Sequence, residues 1–121
     1  MDQLLLKALA SKQRYRSLIH VVPNGMISQD TQVVLAWFGA YYSAFPEREH
    51  VVVDELVSLV RLRSGNASAE QVAITVHLVE QLRHPIDEAG LRGILGQLHE
   101  LDLSGRAGAL IARYNAGDEV D

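Results

Sequence analysis

The run Ser28–Phe45, SQDTQVVLAWFGAYYSAF, decides how this chain is read. Val33, Val34, Leu35, Ala36, Trp37, Phe38, Ala40, Tyr41, Tyr42 and Phe45 leave it almost no polar stripe. A helix that is apolar nearly all round is a buried one. The uncharged run between Asp30 and Glu47 is shorter than the ~20 residues a membrane helix needs, so this helix belongs inside a protein core. Ser28 or Asp30 can cap its start by accepting a hydrogen bond from a free amide, and Pro46 discourages its continuation. The sequence thus predicts a central helix on which the others pack.

Upstream, Met1 to about Ala10 reads as a helical turn or two with Leu4, Leu5 and Ala8 inward. Tyr15, Leu18, Ile19 and Val22 then keep the i, i+3, i+4, i+7 spacing of a helix face. Whether Ser11 divides these into two helices stays open. Pro23-Asn24-Gly25 is a turn signal, since proline fixes one dihedral and glycine or asparagine tolerates positive φ.

Downstream, Pro46-Glu47-Arg48-Glu49-His50 is a polar connection. Val51-Val52-Val53 has strand propensity, but Val52, Leu56, Leu59 and Val60 carry helical spacing to Arg63, so a helix over about Val52–Arg63 is expected, its valines entering extended. Ser64–Ser68 breaks the pattern, and Ser68-Ala69-Glu70-Gln71 has the form of a capping box. The helix it opens turns Val72, Val76, Val79 and Leu82 inward and ends near His84-Pro85. Asp87 begins another, with Leu91, Ile94, Leu95, Leu98 and Leu101 on one side. Leu103-Ser104-Gly105 reads as a tight turn into a last helix bearing Ala107, Leu110, Ile111 and Tyr114, stopped at Asn115-Ala116-Gly117.

The expected fold is therefore all-α: one domain over residues 1–121, a compact bundle of about six helices. Residues 1–85 form the bundle, 86–116 a carboxyl-terminal antiparallel helical hairpin, and 117–121 the start of an acidic linker. Gly90, Gly93, Gly96 and Gly108 each cost about 1 kcal/mol relative to alanine inside a helix, which is tolerable where backbones approach closely. That closeness is either intrachain packing or a subunit interface.

The totals bound the function. A chain of 121 residues can bury a core without staples, and with zero cysteines disulfides, thiolate metal sites and cysteine nucleophiles are excluded together. MDQLLLKALA has no long apolar region and no basic start, so no secretory signal is read and a cytoplasmic location is expected. A net charge of −4 argues against sequence-blind nucleic-acid binding, although Lys7, Lys12, Arg14 and Arg16 make the beginning basic.

No catalytic signature emerges. There is no phosphate loop of the GxxxxGK[ST] kind and no GxSxG elbow. Arg63–Ser68 precedes a helix start where an anion could sit, but it has one glycine and no lysine. His77, Glu80 and His84 fall at i, i+3 and i+7, a spacing unlike HExxH. Trp37, Phe38, Tyr41 and Tyr42 could stack on a ligand, but aromatics on an apolar helix usually form core. The chain reads as no enzyme, with no cofactor and no metal of its own.

Leu4-Leu5-Leu6, then Tyr15 to Val22, then the aromatic helix ending Tyr41-Tyr42-Ser43-Ala44-Phe45-Pro46, then Val52-Val53-Asp54-Glu55-Leu56, resembles the amino-terminal domain of DnaB-type replicative helicases. The likeness is to the divergent versions encoded by bacteriophages. The ending from Leu110 to Asp121 is similar to the exit of such domains toward the motor. The resemblance implies a non-catalytic domain whose helical hairpins pair subunits, dimers building the collar of a hexamer, and to which primase or a helicase loader docks. It implies Leu91, Leu95, Leu98, Leu110 and Tyr114 as interface positions, and assigns no catalytic residue, no direct nucleic-acid contact and no membrane contact to the domain. Two other readings stand beside it: a free-standing helical phage adaptor or inhibitor that binds a host protein, and an enzyme whose site is built on His77, Glu80 and His84.

Overall fold

Two helices share the centre of this protein, and the shorter one is the more deeply buried. The computed structural model describes residues 2–115 and, Asn24 apart, the side chains as far as Asp102. It contains α1 (Asp2–Leu9), α2 (Lys12–Leu18), α3 (Gln29–Ala44), α4 (Val53–Arg63), α5 (Ala69–Glu80) and α6 (Glu88–Asn115). Short 3₁₀ turns follow α2 at Ile19–Val21, precede α3 at Asn24–Met26 and follow α5 at Gln81–Arg83. No strand forms among the described residues; one isolated antiparallel bridge joins Ser11 to His50. The all-α bundle expected from the sequence is the fold observed.

An eight-residue helix is too short to persist alone in water. Packing holds α1: Leu5, Leu6, Ala8 and Leu9 are all buried, while Leu4, expected inward, is on the exposed side. Its ends are held too. Asp2 Oδ2 accepts from the Ser28 amide at 3.0 Å and from Thr31 Oγ1 at 2.9 Å, which ties the start of α1 to the start of α3. At the other end Arg14 Nε donates to the Ala8 carbonyl at 2.6 Å, and the Tyr42 hydroxyl to those of Leu9 (3.3 Å) and Ala10 (2.7 Å). These are carbonyls that a helix end leaves without an intrahelical partner. Ser11 is extended and buried, so it does divide α1 from α2.

α3 starts at Ser28, whose Oγ accepts from the Thr31 amide at 3.2 Å. Thr31, Val34, Leu35, Phe38, Tyr41 and Tyr42 form its buried face. Burial all round is not what the structure shows: Val33 and Ala36 are exposed and Trp37 is half-buried. α1, α4 and α5 pack on α3 and leave one side uncovered. The connection to α4 is pinned through Tyr41, whose hydroxyl donates to Glu55 Oε1 at 2.7 Å and accepts from the Val52 amide at 3.1 Å. Arg48 grips the same carboxylate from Nε (3.0 Å) and a terminal nitrogen (2.8 Å). Val52 is extended and α4 begins at Val53, as the valine run suggested.

α5 opens at Ser68, whose Oγ accepts from the Gln71 amide at 3.1 Å, the serine half of the expected capping box; the Gln71 side chain does not return a bond to the Ser68 amide. α6 opens at Asp87, which accepts from the Gly90 amide at 2.6 Å, and it lies across α1 and the Ile19–Val21 turn, burying Ile94 and Leu98.

The carboxyl-terminal hairpin is not formed: α6 is one helix of 28 residues that runs through Leu103-Ser104-Gly105. The sequence misleads here for an identifiable reason. At 3.6 residues per turn the apolar positions Leu91, Ile94, Leu95 and Leu98 lie on one side, and the register of Leu103, Ala107, Leu110 and Tyr114 is shifted from them by about 140°. Such a slip reads as a break. Serine and glycine only weaken a helix, however, and no proline stands between Asp87 and Asn115 to end it. Residues 117–121, read as a linker, lie outside the described residues.

Candidate docking cleft beside Trp37

The side of α3 that its neighbours leave uncovered lines a cleft of about 640 Å³. Val33 and Trp37, one helical turn apart on α3, face Val72 and Thr75 of α5 across it. Arg63 at the end of α4, residues 64–67 of the connection to α5, and Asp30 in the first turn of α3 line it as well. The sequence places these parts there for separate reasons. Ser28 fixes where α3 begins, so Asp30, Val33 and Trp37 fall at i, i+3 and i+7 on one face. Ser68 fixes where α5 begins, which sets the lip of the connecting segment.

The lining is mixed: Val33, Trp37 and Val72 are apolar, Gln29, Ser64, Asn66, Gln71 and Thr75 are polar, and Asp30 and Arg63 bring one charge of each sign. Its volume is that of a ligand or side-chain pocket. Asp30 and Arg63 form no ion pair or side-chain hydrogen bond with any described residue. Some charges elsewhere are used internally. Arg83 bridges Asp54 (2.5 Å) and Glu80, and the Arg83 guanidinium, followed in weight by burial acting the other way, leaves the Glu80 carboxyl below its usual range. The Arg48 guanidinium, followed by the Tyr41 hydroxyl, does the same for Glu55. Burial, then the hydrogen bond to Glu55, pushes the Tyr41 phenol up.

Of the interface positions implied by the resemblance, Leu98 is 1% exposed and belongs to the chain's own core, and Leu91 and Leu95 are half-buried against it. Leu110 and Tyr114 lie outside the residues whose side chains are described. All five positions fall on one continuous helix rather than on the two arms of a hairpin. Gly93 and Gly96 sit in open space, where an added Cβ would meet nothing within 4 Å, whereas at Gly90 it would come within 2.9 Å of Asp87 Oδ1. Among the described glycines of α6 only Gly90 is crowded, and by side chains (Asp87, Ile86 and Leu4) rather than by a neighbouring backbone.

The His77, Glu80 and His84 grouping does not assemble. α5 ends at Glu80, His84 is extended beyond the 3₁₀ turn, and the Glu80 carboxylate is held by Arg83. No group of three or more metal-ligating side chains converges among the described residues. The basic segment is also partly consumed: Lys12 is buried with Nζ 2.5 Å from the Pro46 carbonyl, and Arg14 caps α1. No described helix is long and apolar enough to cross a membrane.

Sequence reasoning named Trp37 and Arg63–Ser68 separately and missed that they share a cleft. The signal available was the missing polar stripe of α3, with Val33 and Trp37 at i, i+4 and no guarantee of a neighbour to cover them. Comparison with protein-family models, with curated proteins and with solved structures gives no match, so the functional reading rests on the residues themselves.

Proposed function

We propose that this chain is the assembly and partner-docking domain of a phage-type replicative DNA helicase, acting in the cytoplasm as a scaffold that carries no catalytic step. The observation that carries this reading is α6. At 1.5 Å per residue its 28 residues span about 42 Å, against about 30 Å for the diameter of a small domain. Its amino-terminal half is packed on α1, and the side on which Gly93 and Gly96 stand open continues, in helical register, through Leu103, Ala107, Leu110 and Tyr114. A long helix with one side used by the body and an apolar register on the other suits pairing with a second copy. This departs from the family pattern, in which a hairpin pairs the subunits; here a single helix takes that part.

The order of elements supports the same reading: a short first helix, a second segment, the long aromatic α3, a polar turn, then α4 opened by Val53-Asp54-Glu55. In such a protein six copies form a collar, and primase or a loader docks on the bundle. ATP hydrolysis and DNA contact belong to a motor domain, so no cofactor and no direct nucleic-acid contact are assigned to this chain.

Reading the native gene beyond the codon for Asp121 tests the proposal. A frame continuing into GxxxxGK[ST] is the expected result, and a stop codon contradicts it. The cleft beside Trp37 favours a second reading in that event, a stand-alone adaptor or inhibitor that binds one host protein.

A further inference from the structure

We draw no further inference here: the strongest candidate, the apolar patch of α4 in which Leu62, 82% exposed, lines a groove with Leu59 and with Phe45 at the end of α3, is an uncovered face, and nothing in the structure shows what covers it.

Discussion

The Tyr42 hydroxyl, near the end of α3, donates to the Ala10 carbonyl at 2.7 Å and so fastens the central helix to the end of α1 across 32 residues of chain. Burial pushes the phenol well above its usual pKa, so it stays protonated and remains a donor. Replacing Tyr42 with phenylalanine keeps the ring, 4% exposed, and removes this bond together with the longer one to the Leu9 carbonyl at 3.3 Å. The Val51 amide still reaches the Ala10 carbonyl at 2.8 Å, so that acceptor is not orphaned. The expected loss is about 1 kcal/mol, measured as a lower denaturation midpoint with an unchanged slope.

Acid should loosen the bundle first where α1 meets α3. The Ser28 amide, with burial opposing it and the Thr31 hydroxyl helping, holds the Asp2 carboxyl below its ordinary range, and Arg48 does so for Glu55. Each carboxyl binds its proton less readily in the folded state than in the unfolded one. Their contribution is therefore complete above about pH 5 and is lost as the pH falls through about 4 and below. Asp2→Asn should flatten part of that acid limb in melts taken between pH 7 and pH 3. An acid limb of unchanged steepness would show that Asp2 adds nothing to it.

Most of the fold was legible because its helices announce their own starts: Ser28, Ser68 and Asp87 are all caps in the structure. The extended Val52 ahead of α4 was legible too, since β-branched residues favour that backbone. α6 was not, because periodicity records which side of a helix is apolar and says little about whether the chain turns. Its apolar side changes at Leu103, and only the continuous backbone shows that the change occurs within one helix. The cleft was illegible for a different reason. Trp37 and Arg63 are 26 residues apart in sequence and line one cleft only because α4 returns alongside α3.

The glycines of α6 should separate in their effects. Gly93→Ala and Gly96→Ala add a methyl to open space and remove backbone freedom from the unfolded chain, so each should raise stability by about 0.5–1 kcal/mol. Gly90→Ala places a Cβ 2.9 Å from the Asp87 oxygen that caps the helix, and should bring no gain or a loss of up to about 1 kcal/mol. Thermal melts of the three variants check this ordering.

Leu98 and Leu110 should also part company. Leu98→Glu puts an unpaired charge into the core beside α1 and should cost on the order of 4 kcal/mol, enough to unfold a marginal domain. On the assembly reading Leu110 serves pairing between copies, so Leu110→Glu should leave the circular dichroism spectrum and the melting temperature of the bundle nearly unchanged.

Sedimentation equilibrium of the chain over a wide concentration range tests the assembly role of α6 most directly. The account predicts a monomer–dimer equilibrium that Leu110→Glu shifts to a folded monomer. A wild-type chain that stays strictly monomeric at the highest attainable concentration would contradict it.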